Sequence, residues 1–340
     1  MRSPTAGDTD IPRLHQGGVG AILMNVFSRE KSTKDTLAAF DFLRELEAKY
    51  GDTFKVAATA ADVRSIRKAG RIALIPTMEG AGRLENSPMM LRTLHRLGLR
   101  AVTLAYQTND LADGSDDAPR HNGLSVLGRT MVAEMNRTGV LIDLSHVSTK
   151  VMNDVLDITT APVLFSHSSA RAIVNVERNV PDAVLARISQ NGGIVMISFV
   201  PYFSSKAHAE WAKGTESMSD QIGKDFEAKR ITEAEGDARW TKWQKDNPEP
   251  KVGVGEVADH IEHVRRIAGV DHIGIGSDFD GISNKVTGLE DVSKFPNLFA
   301  ELRQRGWSEN DLAKLAGENF LRVMEVAEKT AAATVEAEGR

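Results

Sequence analysis

Cysteine is absent from the 340-residue sequence, and its absence excludes disulfides and thiolate zinc sites. A metal in this protein must therefore be bound by His, Asp and Glu side chains. No apolar run approaches the roughly 18 to 20 residues that a membrane span needs. The formal net charge of −5 gives no electrostatic basis for binding nucleic acid. We expect a globular protein with neither a membrane nor a nucleic-acid partner.

The first ten residues, MRSPTAGDTD, are polar and contain no apolar h-region, so no signal peptide is predicted. Cytosolic and periplasmic proteins can both lack cysteine, and the compartment therefore stays open. We expect a cytoplasmic location, or a periplasmic or secreted one if the chain is truncated at its N-terminus.

Seven apolar segments with the character of buried strands alternate with helical patterns along the chain. Parallel strands joined by helices form a sheet that is buried on both faces. We predict an α/β protein, a (β/α)8 TIM-type barrel, with residues 1–330 as one domain. Residues 201–252 are predicted to be a helical insertion on a strand-helix loop, and 331–340 a frayed tail. The predicted strands are 21–27, 71–80, 101–106, 140–146, 162–167, 194–200 and 272–281.

A doubly wound sheet is the alternative fold, but it would place a glycine-rich turn after an early strand. The GGVG sequence at 17–20 precedes its strand and is predicted to be a turn. Polar residues at the ends of five strands favour the barrel, because catalytic residues of such barrels lie at the carboxyl ends of strands. These residues are Glu79, Tyr106, His146, His167 and Asp278.

His146 and His167 end two consecutive predicted strands, and each follows a serine. Neutral imidazole is a common zinc ligand, and side chains at the ends of neighbouring parallel strands meet at one edge. The pair therefore predicts a metal site at the barrel mouth. Two loop histidines with ordinary hydrogen bonds are the alternative.

Carboxylates and an arginine surround this predicted site. Glu79 could complete or bridge a metal site, and a rim salt bridge is its alternative role. Asp278 could transfer a proton between the attacking water and the leaving amine. For Asp278 and Asp280 the alternative is an Asx-stabilised turn. Arg178, on a loop, could bind a substrate carboxylate through two hydrogen bonds, or lie in a surface salt bridge.

Other histidines and the tryptophans lack such context. His260 and His263 have i, i+3 spacing on a helix, but no pattern places that helix over the barrel mouth. We predict that His95 lies on a helix surface. The three tryptophans of the insertion, Trp211, Trp240 and Trp243, are predicted to pack it against the protein.

The chain resembles the membrane (renal) dipeptidase family of zinc dipeptidases, which have amidohydrolase-like barrels. The resemblance rests on segments between about residues 9 and 327; the insertion does not match. The segments are TDIPRLHQGGVGA, EGAGRLENSPMMLRTLHRLGLRAVTL, GLSVLGRTMVAEMNRTGVLIDLSHVS, APVLFSHSSARAI, RNVPD, GIGSDFDG and GLEDVSKFP.

The resemblance implies hydrolysis of dipeptides, L,L or L,D, by a metal-activated hydroxide at a centre of two zinc ions. Glu79 would bridge both ions, and His146 and His167 would bind the second. Arg178 would bind the substrate carboxylate, and Asp278 would transfer the proton.

The chain departs from the family at two points. The family's first strand carries a His-x-Asp pair for the first zinc, whereas no His-x-Asp occurs in this sequence. We therefore expect the first barrel strand to be missing and ligands for one zinc only. Tyr106 stands where the family has a histidine that donates to the oxyanion. A tyrosine can still donate one hydrogen bond but carries no positive charge.

Two other functions stay open. The first is a catalytically impaired barrel that binds a peptide or a single metal. The second is another metal hydrolase chemistry on the same barrel, such as lactamase or deaminase activity. A barrel without its first strand also exposes two sheet edges. We expect lowered stability, or closure by a terminal segment or by a neighbouring chain, as in a homodimer.

Overall fold

The computed structural model describes residues 5–26 and 32–338. Eight parallel strands lie within these ranges, one more than the sequence pattern predicts. The additional strand has three residues and is too short to show a periodic pattern. The strands are β1 (Ala21–Asn25), β2 (Phe54–Val56), β3 (Ile72–Glu79), β4 (Ala101–Thr103), β5 (Leu141–Asp143), β6 (Leu164–Ser168), β7 (Ile194–Ile197) and β8 (Ile273–Ile275).

The sheet runs in the order β1-β3-β4-β5-β6-β7-β8, and β2 pairs beside the start of β3. β2 and β4 share one edge of β3, because Ala57 N–H donates to Leu74 O and Arg100 N–H to Pro76 O. β1 pairs along the other edge, where Ala73 N–H donates to Gly20 O. The alternation of parallel strands and helices confirms the predicted barrel class.

The curled sheet is open between its first and last strands. β1 and β8 form no pairing within the described ranges. A cavity of about 420 Å³ is lined by both strands and reaches from the carboxyl ends of the sheet to Leu315 and Phe320. This gap agrees with the prediction that the barrel is open, although the sheet has eight strands within the described residues. Closure by a neighbouring chain stays a prediction.

Fourteen α-helices were found in the described ranges. They are α1 (Ile11–Gln16), α2 (Thr33–Lys49), α3 (Ala60–Lys68), α4 (Pro88–Leu97), α5 (Val126–Thr138), α6 (Thr149–Ile158), α7 (Asp182–Asn191), α8 (Pro201–Ser204), α9 (Lys206–Glu227), α10 (Glu233–Asp246), α11 (Val254–Ala268), α12 (Phe295–Gln304), α13 (Glu309–Ala313) and α14 (Asn319–Glu338). None of them is long and apolar enough to span a membrane.

Local sequence signals account for many helix boundaries. The hydroxyls of Ser87, Ser125 and Ser148 accept a backbone N–H in the first turn of α4, α5 and α6. Gly139 and Gly192 end α5 and α7 in the left-handed conformation, which glycine adopts without a steric penalty. These signals make the crossover helices predictable from the sequence.

Strand side chains alternate between two hydrophobic clusters. Leu74 and Phe165 belong to a cluster that includes side chains of the crossover helices, whereas Ile75 and Leu164 pack with α14. The residues that meet α14 lie mainly near the strand starts. Helix α14 therefore covers the amino ends of the strands, and their carboxyl ends remain available for a site.

The segment between β7 and α11 is helical, as predicted for 201–252, and contains α8, α9 and α10. Trp243 stacks on Trp240 with ring centroids 5.9 Å apart and contacts Trp211 at 6.3 Å. Trp211 Nε1 donates to the carbonyl of Asn247, and His208 Nε2 contacts Glu249 Oε1 at 2.9 Å. The tryptophans thus pack the insertion's own helices together, and the prediction that they pack the insertion against the rest of the protein stays a prediction.

The C-terminal segment differs from its prediction. We expected a frayed tail over 331–340, but α14 continues through Glu338, and 339–340 lie outside the described residues. The segment is rich in alanine, which has the highest helix propensity. Thr334 Oγ1 also donates to the carbonyl of Thr330, one turn earlier in the helix. The division into one domain with an insertion stays a prediction.

Candidate metal centre

Glu79 is the last residue of β3, and its carboxylate lies at the carboxyl end of the sheet. Its Oε1 atom lies 3.0 Å from His146 Nε2 and 3.4 Å from His167 Nε2. The side chain of Asn25, at the end of β1, donates to Glu79 Oε2 at 2.8 Å and accepts the Glu79 N–H at 3.0 Å. These two bonds fix the carboxylate with one oxygen toward the histidines.

His146 lies three residues beyond β5, so the prediction that the strand extends to this histidine is wrong. The strand ends at Asp143, and His146 has a φ of 67°, in the left-handed region that non-glycine residues seldom adopt. Its carbonyl accepts the Ser115 N–H at 2.7 Å. This turn directs the imidazole toward Glu79. Non-glycine residues in this region are often found at functional sites.

His167 lies within β6, at an irregularity in the pairing with β7 between Phe165 and Ser168. Its Nε2 atom lies 2.9 Å from His146 Nε2, and its Nδ1 atom lies 2.8 Å from the hydroxyl of Ser166. The two histidines are therefore brought together as predicted. Each presents Nε2 to the same point beside Glu79.

The spacing of these three side chains fits a metal ion. One ligand atom of each lies within 4.8 Å of the others, and this is the group of potential metal ligands found within the described ranges. Ligand atoms of a tetrahedral zinc ion with bonds of about 2.0–2.1 Å lie about 3.3 Å apart. The distances of 2.9, 3.0 and 3.4 Å between the atoms are close to this value.

The electrostatics of the cluster also suit a cation. Burial opposes ionisation of Glu79, but hydrogen bonds to His146 and His167 hold the pKa of its carboxyl well below its usual range. Burial lowers the pKa of His146 to about 4, which favours the neutral ligand form. Burial also opposes protonation of His167, but its contact with Glu79 outweighs this and raises the pKa. A metal ion binds the neutral imidazole, so metal binding at His167 would compete with its protonation.

Arg178 lies beside the cluster and is 4% exposed. Its Nη2 atom is 3.4 Å from the His167 carbonyl, and its guanidinium lies over the Phe203 ring at 5.0 Å. The buried Nη1 atom has no hydrogen-bond partner among the described residues. A buried N–H group without a partner is costly, so the geometry suits an anionic ligand.

Asp278 lies three residues beyond β8, although the predicted strand runs through it, and has a φ of 63°. Burial raises the pKa of its carboxyl. The loop can approach β6 because residue 276 is glycine; a Cβ there would lie 2.0 Å from the Ser166 carbonyl. Asp280 instead accepts the Asp8 N–H at 2.6 Å and donates its own N–H to Asp8 at 2.8 Å. These bonds link the loop to the N-terminal segment, and they are not the local bonds of the Asx-stabilised turn that was the alternative prediction for Asp280.

Tyr106 lies three residues beyond β4, because the strand ends at Thr103 rather than at the predicted tyrosine. Its ring is 48% exposed and lies 4.7 Å from the His146 ring.

Two other histidines, which were not predicted to lie at the barrel mouth, are buried in α11: His260 and His263. His260 accepts the Ala170 N–H and contacts the Ser204 carbonyl, while His263 contacts Asp182. Both connect the helix to neighbouring elements.

Comparison with known proteins identifies the family. Residues 1–338 match the family described as membrane dipeptidase, peptidase family M19. The chain belongs to the membrane dipeptidase family.

Curated proteins that are similar to this chain are named dipeptidases. Dipeptidase tcpJ of Claviceps purpurea (strain 20.1) is 41% identical over 342 residues, which cover 96% of this chain and 71% of the relative. Dipeptidase verJ of Clonostachys rogersoniana is 35% identical over 345 residues, with 96% and 78% coverage. The family and these relatives support an assignment to the dipeptidases.

Solved structures of similar proteins support the same fold. The probable dipeptidase PvdM from Pseudomonas aeruginosa has a TM-score of 0.84 and 27% identity, with coverage of 97% of this chain and 91% of that one. A metallo peptidase from Rhodobacter sphaeroides, liganded with a phosphinate mimic of the dipeptide L-Ala-D-Ala, has a TM-score of 0.78 and 26% identity. Coverage is 96% of this chain and 92% of that one.

Three polar residues of the site were not predicted from the sequence to belong to it: Asn25, Asp143 and Ser166. Asn25 ends β1 and contacts Glu79, whereas Asp143 and Ser166 lie behind His167. Asp143 does leave a sequence signal, because it interrupts the apolar run VLIDL. A charged residue inside an otherwise buried strand usually needs several hydrogen-bond partners.

Proposed function

We propose that this protein is a zinc-dependent dipeptidase that hydrolyses the peptide bond of L,L or L,D dipeptides. The observation that carries the proposal is the convergence of Glu79, His146 and His167 beside the buried guanidinium of Arg178. A metal site explains the three converging ligand atoms. A substrate carboxylate explains an arginine that is buried next to them.

Arg178 is proposed to bind the C-terminal carboxylate of the substrate. Its unpartnered Nη1 atom can donate to one carboxylate oxygen while a second N–H of the guanidinium donates to the other. The contact with Phe203 holds the planar group in place. This role favours substrates that end in a free carboxylate, and a dipeptide carries one on the residue that follows its single peptide bond.

Glu79, His146 and His167 would hold the zinc ion. When bound, zinc supplies Lewis-acid chemistry, by lowering the pKa of a water molecule and polarising a carbonyl. Glu79 provides the negative charge, and Asn25 keeps its carboxylate oriented. The described residues offer this one ligand group, so we propose one tightly held zinc per chain from these residues.

Asp278 and Tyr106 are proposed to act on the reacting atoms. Asp278 would accept a proton from the attacking water and deliver it to the leaving amine, and burial raises the pKa of its carboxyl toward the range that suits such transfer. Tyr106, beside His146, would donate its hydroxyl proton in a hydrogen bond to the developing oxyanion.

The substrate class is supported by the Rhodobacter sphaeroides structure, whose ligand mimics the dipeptide L-Ala-D-Ala. We propose that this chain accepts the same class. The 3.4 Å contact of Arg178 Nη2 with the His167 carbonyl supports a role for the guanidinium beside the proposed metal ligands.

The test combines metal content with a substrate comparison. Zinc per chain is measured by elemental analysis, and kcat and KM are measured for L,L and L,D dipeptides and for the matching dipeptide amides. We expect one zinc and a strong preference for the free carboxylate. In Arg178→Met this preference should disappear, whereas Arg187→Met, which loses contacts to Asn153 and Asp157 away from the site, should keep it.

Turnover of amides but not of dipeptides would reject the role of Arg178. Zinc binding without turnover of any dipeptide would favour the alternative of an impaired barrel that binds a peptide or a metal.

A further inference from the structure

Asp143 is a buried carboxylate, 3% exposed, directly behind the proposed metal ligand His167. Its Oδ1 atom accepts the backbone N–H groups of Ser145 at 3.0 Å and Ser166 at 2.9 Å. Its Oδ2 atom accepts the hydroxyls of Thr103 at 2.6 Å and Ser166 at 2.5 Å. The two oxygens therefore have different partners, two amides on one and two hydroxyls on the other.

The hydroxyl of Ser166 connects this carboxylate to His167. Ser166 Oγ lies 2.5 Å from Asp143 Oδ2 and 2.8 Å from His167 Nδ1. A hydroxyl has one proton, and an ionised carboxylate can only accept a hydrogen bond. The Ser166 proton therefore points to Asp143, and Ser166 Oγ must accept a proton that His167 carries on Nδ1.

We propose that Asp143 is a positioning residue that acts through Ser166 to keep the proton of His167 on Nδ1, which leaves Nε2 free to bind a metal. The inference rests on the proposed metal centre. The hydrogen bond at one imidazole nitrogen determines which nitrogen is available as a ligand. Metal-binding histidines commonly donate their other N–H to a carboxylate or carbonyl. Here a serine hydroxyl lies between the imidazole and the carboxylate.

Because two backbone N–H groups donate to Asp143 Oδ1, the substitution Asp143→Asn tests the proposed role specifically. In Asp143→Asn the backbone N–H groups of Ser145 and Ser166 would keep the amide oxygen at the Oδ1 position. The new NH2 group would then occupy the Oδ2 position and donate to Ser166 Oγ. The Ser166 proton would turn to His167 Nδ1, and the imidazole proton would move to Nε2, where it blocks metal binding. The variant keeps the volume of the side chain.

The matched control is Thr103→Val. This change removes one hydroxyl from the same Asp143 Oδ2 atom but leaves Ser166 and His167 untouched. Ser166→Ala removes the connecting hydroxyl and keeps the backbone N–H that donates to Asp143. If Asp143 only holds the ends of β5 and β6 together, Thr103→Val and Ser166→Ala should have similar effects on the Nδ1 proton of His167 and on zinc affinity.

The first measurement is the Nδ1–H signal of His167 in 15N-labelled, metal-free protein, together with its exchange with water. We expect a protected Nδ1 proton in the wild type and in Thr103→Val. The proton should exchange rapidly in Ser166→Ala and be absent in Asp143→Asn. This readout is independent of any metal and of activity.

The second measurement is zinc affinity by competition with a chromophoric chelator. We expect affinity to fall roughly 10- to 100-fold in Ser166→Ala, and at least as far in Asp143→Asn, as is typical for partners of metal ligands. Thr103→Val should stay within about 3-fold of the wild type. Circular dichroism checks that each variant is folded.

An unprotonated Nδ1 in the wild type, or equal losses in Thr103→Val and Ser166→Ala, would overturn the inference. If the wild type shows the protected Nδ1 proton but binds no zinc, the proposed metal centre fails while the proton assignment of His167 is supported.

Discussion

The Nε2 atoms of His146 and His167 lie 2.9 Å apart, although 21 positions separate the two residues in the chain. Two neutral imidazoles that present lone pairs to each other at this distance repel unless a proton or a cation lies between them. Glu79 Oε1 lies 3.0 Å from the first of these nitrogens and adds negative charge. The two histidines are therefore coupled to each other and to Glu79, as the proposed metal site requires.

Replacement of the carboxylate should weaken this site. Glu79→Gln keeps the shape of the side chain but removes its charge, so zinc affinity should fall by more than the roughly 10- to 100-fold that loss of an outer hydrogen-bond partner causes. Chelator competition measures the change. Glu177→Gln, an exposed glutamate paired with Arg171, is the control and should bind zinc like the wild type. Equal affinities of all three proteins would contradict Glu79 as a ligand.

The hydroxyl of Tyr106 should matter more than its ring. Tyr106→Phe keeps the contact with the His146 ring but cannot donate to an oxyanion, so we expect kcat to fall about 100-fold with little change in KM. Steady-state kinetics on a preferred dipeptide measures this. Tyr106→His should recover most of the rate, because an imidazole can also donate. A Phe variant with wild-type kcat would exclude the hydroxyl from catalysis.

Stability should fall in mild acid because of His260. Burial lowers the pKa of this histidine to about 4, below its ordinary value of 6.5. Between these values the unfolded chain binds the proton and the folded protein does not. The free energy of unfolding should therefore decrease as pH falls from about 6.5 to about 4, by on the order of 3 kcal/mol.

Urea unfolding at pH 7 and pH 4.5 measures the effect of His260. In His260→Gln the loss between the two pH values should be smaller, whereas the exposed His15→Gln should behave like the wild type. The physical reason is that Nδ1 of His260 accepts the Ala170 N–H, and a protonated imidazole cannot accept it. An unchanged pH dependence in His260→Gln would rule out this residue as the cause.

The N-terminal segment should stabilise the loop that carries Asp278. Asp8 accepts the Asp280 N–H and pairs with Lys285, and Asp8→Ala removes both contacts. We expect a loss of about 1–3 kcal/mol in the free energy of unfolding, and a lower kcat because the loop is less well positioned. Asp41→Ala, on the exposed side of α2, should change neither quantity. Unaltered stability of Asp8→Ala would contradict this role.

The barrel class and most of its strands could be predicted because buried parallel strands leave continuous apolar runs. The strand ends could not be placed, since an apolar or small residue such as Leu144 or Ala105 continues the run after the pairing has stopped. The three-residue β2 has no recognisable pattern at all; its hydrogen bonds to β3 define it. The longer apolar runs thus reveal a strand by composition, whereas the length of a strand, and the very existence of β2, depends on pairing with a neighbouring strand.

Some residues of the candidate site could likewise be predicted from the sequence, whereas others could not. Ionisable side chains are seldom buried, so those that follow apolar strands could be identified from the sequence as candidate site residues. They are Glu79, His146, His167 and Asp278. Asn25 could not be identified in this way, because an asparagine after a strand is also typical of a turn. Its relation to Glu79 exists only through the pairing of β1 with β3, which brings residues 54 positions apart into contact.

The sequence by itself determined which side chains are candidate ligands and at which edge of the sheet they lie, because residue chemistry and strand polarity are both local properties. Only the tertiary structure decided how His146 turns toward the cluster in a left-handed conformation, and which proton arrangement Asp143 imposes through Ser166. Those features depend on hydrogen bonds between β4, β5 and β6. Such bonds form between residues that the folded sheet, and not the order of the chain, makes neighbours.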